Sequence, residues 1–257
     1  MNIKITKANS NGNSFILINN IPNKLLISNK QISDICKFHK TDGLIILNST
    51  NINDISMNYY NNDGLWETLC ANGLICATKL LHTLCTQNKF NISCGGKGYE
   101  IQKKDTSIEI RMPKPVYKSG KILLENIEGY YIDSGAKHFI INQKNSWPSN
   151  DDIITISQKV RYNTKLFPNG INVNFYKIIN DNTLEIKTYE KGIENLMRSC
   201  ASGSFACAFH FHKNSNAQSL INIINPGGKY LSVFKNNYKN NYIISNSIIE
   251  YQDNVSL

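Results

Sequence analysis

Two cysteines carry the strongest chemical signal in the chain. Cys70-Ala71-Asn72-Gly73-Leu74-Ile75-Cys76-Ala77 and Cys200-Ala201-Ser202-Gly203-Ser204-Phe205-Ala206-Cys207 match position for position at Cys, Ala and Gly, with Asn72 opposite Ser202. Each copy runs on into an apolar, helix-compatible segment. Two copies about half a chain apart point to a duplicated unit and to a site built from both halves. Gly73 and Gly203 stand at the head of each helical run, where a small residue lets a ligand approach the backbone closely. The first turn of a helix has free N–H donors and the positive end of the dipole. Such a place binds a carboxylate and lowers the pKa of a cysteine beside it.

That combination suits inversion at an α-carbon. A thiolate takes the proton from one face and a thiol returns one to the other; in reverse the roles swap. The carbanion's charge spreads into the carboxylate, which the helix starts stabilise. No phosphate loop or Schiff-base pattern is present, so a route with no cofactor is expected. A lone cysteine before a helix is usually structural; the repeat is what favours function. Cys76 and Cys207 lie deeper in each helix and read as core packing. Cys36, Cys85 and Cys94 read as small buried hydrophobes. The cysteines of each repeat are six and seven positions apart, too far for the usual structural zinc pairs, so no metal is expected. With no secretory signal, the odd number of cysteines, seven, favours free thiols in a reducing compartment and a cytoplasmic protein.

Elements must position these cysteines. The chain has 257 residues, 41% of them hydrophobic, enough for two domains with real cores. No apolar run is long enough to span a membrane. The net charge of +9 includes only three arginines, Arg111, Arg161 and Arg198, and no dense basic block. Neither nucleic acid nor a membrane surface is therefore the expected partner.

Residues 1–20 read as a strand, a turn at Ser10–Ser14 and a return strand. Residues 30–39 read as an amphipathic helix, 44–47 as a buried strand, and 55–60 as a strand ending in the Asn61-Asn62-Asp63-Gly64 turn. Cys70 then opens a helix to about Cys85. Strands follow near 91–94, 98–102 and 107–112. Pro113 and Pro115 place a boundary at 113–120. The second half repeats the rhythm, with strands around Ser134-Gly135, a helix over 151–162, strands at 170–175 and 184–189, the Cys200 helix, and strands near 220–225, 230–234 and 241–244. The predicted class is α+β, with domains 1–115 and 116–246. Whether 247–257 returns to the first half stays open.

The motifs resemble the diaminopimelate epimerase family over nearly the whole chain. Gly12-Asn13-Ser14-Phe15 is similar to its Gly-Asn-Asp-Phe turn, and Asp42-Gly43-Leu44 to its Ala-Asp-Gly-Leu strand entry. Asn61-Asn62-Asp63-Gly64 with Cys70-Ala71-Asn72-Gly73 resembles its Asn-x-Asp-Gly and Cys-Gly-Asn-Gly pair. Phe167-Pro168 with Asn172-Val173-Asn174-Phe175 matches a further motif. Tyr189-Glu190-Lys191-Gly192 and Cys200-Ala201-Ser202-Gly203 resemble Tyr-Glu-Arg-Gly and Cys-Gly-Thr-Gly, and Pro226-Gly227-Gly228 resembles a late Pro-Gly-Gly.

The resemblance implies two pseudo-symmetric domains, each a mainly antiparallel sheet wrapped around a central helix, and no cofactor. It implies Cys70 and Cys200 as the acid/base pair. Ala71, Asn72, Ala201 and Ser202 would supply helix-start donors to the reacting carboxylate. Glu190 and His138 would sit near the α-amino group and tune the thiols. Asn13, Asn61, Asn172 and Lys191 would reach the substrate.

The departures gather at the distal end. Lys191 stands where the family has an arginine and loses the bidentate fork. Ala136 replaces an asparagine, Ser14 an aspartate, and alanines follow both cysteines in place of glycine. Arg198 and Lys137 are candidates to compensate. The expected reaction is the interconversion of LL- and meso-2,6-diaminopimelate, in lysine and cell-wall synthesis. The alternatives are a racemase of the same fold acting on another amino acid such as histidine, and a non-catalytic binding protein that kept the fold. The expected partner is a small-molecule amino acid; a homodimer stays open.

Overall fold

The computed structural model describes residues 2–20, 25–49 and 55–256. Met1 and Leu257, the outer ends of the expected first strand and last stretch, lie outside the described residues. The chain divides into two compact units, Met1–Arg111 with Ile244–Leu257, and Met112–Ile243.

The first unit is built from β1 (Asn2–Ser10), β2 (Asn13–Asn20), α1 (Asn29–His39), β3 (Gly43–Ser49), β4 (Ile55–Asn61), β5 (Trp66–Glu67), α2 (Ala71–Leu84), β6 (Lys89–Cys94), β7 (Lys97–Lys104) and β8 (Ser107–Met112). Asn11 and Gly12 join β1 to β2 with φ of 53° and 78°. Positive φ at both turn residues matches the twist of a tight hairpin, which Asn-Gly adopts readily. β2 and β3 are parallel, linked through α1, and β3 pairs antiparallel with β4. β4 then pairs antiparallel with β5 and parallel with β6, and β6, β7 and β8 follow antiparallel.

The second unit is built from β9 (Val116–Leu124), β10 (Ile127–Asp133), β11 (Lys137–Asn142), α3 (Asn150–Arg161), β12 (Asn172–Asn180), β13 (Thr183–Glu190), β14 (Asn195–Met197), α4 (Ala201–Asn214), β15 (Leu220–Asn225), β16 (Gly228–Lys235) and β17 (Asn240–Ser245). Its pairings repeat the first unit's: β10 antiparallel to β11, β11 parallel to β12, β12 antiparallel to β13, then β13 with β14 antiparallel and with β15 parallel. The final strand, β18 (Ile248–Ser256), lies antiparallel on β1, as β9 lies on β10. The fold is α+β, mostly sheet.

Burial explains the different placing of the helices. α1 buries only one side, with Ile32, Ser33, Ile35, Cys36 and His39 inside, and packs on β2 and β3 in a cluster with Ile16, Ile18, Leu44 and Ile46. Its start is set by a capping box between Ser28 and Gln31, and its end by Lys40 in the left-handed region. α3 likewise buries Ile153, Ser157 and Val160. By contrast, every residue from Ala71 to Thr78 of α2 and from Ala201 to Phe211 of α4 is buried. A helix apolar all round has to lie inside its unit. α2 and α4 are accordingly the central helices, and their N-termini carry the two cysteines.

Two expectations are corrected. Residues 116–120 of the expected 113–120 boundary are not a linker but the first part of β9, which runs on to Leu124 and pairs antiparallel with β10 despite the prolines before it. Cys85 is half-buried at the C-cap of α2, its thiol donating to the Leu81 carbonyl at 3.5 Å. Cys36, Cys76, Cys94 and Cys207 are buried. Among the described residues no helix is long and apolar enough to cross a membrane.

Candidate active site

Both cysteines are N-cap residues with extended backbone, φ −131° at Cys70 and −138° at Cys200. That placement turns each sulfur toward the first turn of its helix, whose amides have no carbonyl four residues back to bond. The two caps differ in detail. Cys70 Sγ accepts from the Gly73 amide at 3.3 Å. Cys200 makes no such cap bond; its sulfur lies 3.6 Å from the Ser202 hydroxyl.

On the Cys70 helix, Asn72 opens a hydrogen-bonded chain through Asn13 and Asp42 to Ser14. Asn72 Nδ2 donates to Asn13 Oδ1 at 3.4 Å, and Asn13 Nδ2 donates to Asp42 Oδ2 at 2.9 Å. Asp42 also accepts from the Ser14 amide and hydroxyl, so serine in place of aspartate at position 14 avoids setting two carboxylates together. Asn61 accepts from the Tyr59 hydroxyl at 2.7 Å. Ala71, Asn72, Asn13 and Asn61 are all at least nine-tenths buried.

Around Cys200 lies a second group. Ala201 and Ser202 are buried in the first turn of α4, and the Ser134 hydroxyl donates to the Ser202 carbonyl at 2.8 Å. His138 is fully buried, with Nε2 3.1 Å from Ser202 Oγ and Nδ1 2.9 Å from Asn174 Nδ2. Burial holds its pKa down at about 3, against the opposing charge of Asp133. Its ring therefore acts on Ser202, one bond removed from the thiol. Burial pushes Cys200 up to about 12; the Glu190 charge adds to that, while the Gly203 amide and the Ser202 side chain and amide pull the other way.

Asn172 clamps two strands: its Oδ1 accepts from the Lys191 amide at 2.9 Å and its Nδ2 donates to the Lys137 carbonyl at 3.2 Å. Glu190 at the end of β13 and Lys191 just after it are half-buried; Ala136 just before β11 is half-buried, Lys137 at the first position of β11 is exposed, and Arg198 is exposed. Among the described residues no group of three or more His, Cys, Asp or Glu side chains is placed to hold a metal ion.

Two residues escaped the sequence reading. Asn174 and Thr188 are buried behind His138, Thr188 Oγ1 donating to Asn174 Oδ1 at 2.8 Å. A polar residue at an inward position of Val173-Asn174-Phe175 was the available signal.

The register of the strands shows what occupies the same places in the first unit. His138 faces Asn172 across β11–β12 as Phe15 faces Gly43 across β2–β3. Asn174 faces Thr188 as Ile45 faces Tyr59. A Cβ on Gly203 would meet Asn174 and His138, whereas one on Gly73 would meet Ile45. The Cys70 helix thus starts against Ile45, at the place that Asn174 holds against the Cys200 helix beside His138; Phe15 and Tyr59 occupy the strand positions of His138 and Thr188.

No family model matches the chain. Among solved structures, a hydroxyproline epimerase from Agrobacterium vitis with bound trans-4-hydroxy-L-proline aligns over 99% of this chain and 91% of its own, with a TM-score of 0.75 at 12% identity. A putative phenazine biosynthesis PhzC/PhzF protein from Clostridium difficile gives a TM-score of 0.72 at 8% identity, covering 99% of this chain and 100% of that one. At such identities these show the fold. Among sequence relatives, the diaminopimelate epimerase of Chlorobaculum tepidum is 30% identical over 230 residues, covering 86% of this chain and 89% of the relative. That of Flavobacterium psychrophilum is 29% identical and covers 96% of each. Fold, cysteine-capped central helices and relatives together define an isomerase of the amino-acid epimerase and racemase class. Within that class, the chain belongs to the diaminopimelate epimerase family.

Proposed function

We propose that the chain interconverts LL- and meso-2,6-diaminopimelate by two-base proton transfer at the α-carbon, without a cofactor, in lysine and cell-wall synthesis. The observation that carries this reading is the pair of cysteines capping the two central helices at matching places in a repeated unit. In one direction a cysteine thiolate removes the α-proton. The electron pair moves toward the carboxylate, held by first-turn amides of Ala71, Asn72, Ala201 and Ser202. The other cysteine's thiol then delivers its proton to the opposite face. The protonation states of the two sulfurs are exchanged at the end, and the reverse reaction starts from that exchanged state. Glu190 supplies negative charge for the substrate's ammonium group, and Lys191 reaches its distal carboxylate.

A racemase of another amino acid, such as histidine, is the second reading, and Ala136 with Lys191 is what favours it. Incubation in D₂O separates the two. The first reading expects deuterium at the α-carbon of diaminopimelate; deuterium in histidine with none in diaminopimelate would transfer the assignment. Cys70→Ser and Cys200→Ser each should lose about 10²-fold or more in rate, since each removes one acid/base partner. Full isomerase activity in either variant would end the two-thiol mechanism.

A further inference from the structure

We infer that Asn174 and Thr188 are positioning residues for Cys200, holding a hydroxyl hydrogen on its sulfur through His138 and Ser202. This rests on the reading of Cys200 as an acid/base residue.

The order of donors follows from the atoms. Thr188 Oγ1 donates to Asn174 Oδ1 at 2.8 Å, which turns the amide nitrogen toward the ring. Asn174 Nδ2 then donates to His138 Nδ1 at 2.9 Å. A neutral imidazole that accepts at Nδ1 carries its hydrogen at Nε2. That hydrogen goes to Ser202 Oγ at 3.1 Å, leaving the serine's own hydrogen for Cys200 Sγ, 3.6 Å away. A donor on the sulfur favours the thiolate.

The repeat supplies an independent argument. The corresponding places in the first unit hold Phe15, Ile45 and Tyr59, with Phe15 and Tyr59 in an edge-on contact at 5.9 Å. The same architecture therefore forms with a mostly apolar backing, in which the one polar atom, the Tyr59 hydroxyl, donates to Asn61. Buried polar side chains cost free energy unless every one is bonded, so packing alone does not call for His138, Asn174 and Thr188. The two sulfurs also differ in need. Cys70 accepts a cap bond from the Gly73 amide at 3.3 Å, whereas the Gly203 amide favours the Cys200 thiolate without closing such a cap bond, and Cys200 also faces the anion Glu190. The charged or titratable groups facing Cys200 are Glu190 at the end of β13, Cys207 further along α4, and His138 on β11, the last itself under the field of Asp133. Of these, Glu190 disfavours the thiolate, Cys207 stays a thiol, and His138 stays neutral. The Ser202 hydroxyl at the end of this chain joins the Gly203 and Ser202 amides in opposing Glu190 and burial.

The test reads the thiol directly, without substrate. The full chain is alkylated with iodoacetamide from about pH 7 to about pH 10, and modification of Cys200 and Cys70 is followed separately by peptide mass spectrometry. Thr188→Val removes the hydroxyl at nearly constant shape, Thr188→Ser keeps it, and Asn174→Leu breaks the chain. Asn174→Leu should slow Cys200 relative to Cys70 by about tenfold, one pKa unit. Thr188→Val should act in the same direction more weakly, and Thr188→Ser should match the wild type. The ¹⁵N shifts of His138 should show one tautomer, protonated at Nε2, in the wild type and a mixture in Thr188→Val. If Asn174→Leu does not fold, the Thr188 pair decides. A Cys200 to Cys70 ratio unchanged in Thr188→Val, with His138 still in the Nε2–H form, overturns the inference. Because alkylation needs no isomerase activity, absence of deuterium exchange into any amino acid would sink the proposed function while leaving this result readable.

Discussion

Gly203 is held to its type by its neighbours. A Cβ there would press on the Asn174 amide and approach His138 Nδ1 at 3.2 Å, both locked by hydrogen bonds. At Gly73 the first atom met is the terminal methyl of Ile45 at 2.8 Å, which can turn aside. Gly203→Ala should therefore cost about 1–3 kcal/mol through overpacking and Gly73→Ala less, measured as the shift in urea midpoint. A larger loss at Gly73 would mean that the polar backing of α4 is softer than its bonds imply. The asparagines named from the sequence also do more holding than was expected. Asn172, Asn13 and Asn61 each spend amide groups on protein partners, so their truncation would disturb the frame of the site as well as any substrate contact.

Among the elements, α1 and α2 make a useful contrast. α1 starts on an exposed Ser28, whose hydroxyl accepts from the Gln31 amide at 3.3 Å while the Gln31 side chain bonds back to the Ser28 amide at 3.0 Å. Ser28→Ala should cost about 1 kcal/mol, seen in thermal unfolding, with the alkylation rates of Cys70 and Cys200 unchanged. α2 and α4 instead give their cap positions to cysteine, a poorer cap, and are held by burial on all sides. Stability of these two helices comes from the surrounding sheet, which frees their first residue for chemistry.

For the whole molecule, acid is the informative stress. His138 and His210 are both buried, and burial holds their pKa values down, at about 3 and about 4. His210 is further enclosed by Tyr117, Tyr130 and Tyr176. With folded values below the unfolded one, near 6.5, the unfolded chain binds more protons as pH falls. The stability is fully present above about 6.5 and is lost on the way down toward 4. His210 alone contributes a loss on the order of 3 kcal/mol over that window. Urea midpoints measured between neutral and mildly acidic pH should fall steadily, and His210→Gln should flatten the decline. A midpoint independent of pH across that range would contradict this account.

The paired cysteines, the Asn-Gly hairpin, the amphipathic faces of α1 and α3 and the repeat itself were legible in the sequence, because caps, turns and helical periodicity depend on residues a few positions apart. The strand at Val116–Leu124 was hidden by Pro113 and Pro115, whose local signal outweighed its distant partner, β10. The unequal backing of the two cysteine helices was not legible either. Positions 15, 45 and 59, and 138, 174 and 188, meet only through the register of parallel and antiparallel strands joined by whole helices. Local chemistry chose the two thiols and where their helices begin. Long-range pairing chose what stands behind each, because strand register is set by burial across the entire sheet and by no short stretch within it.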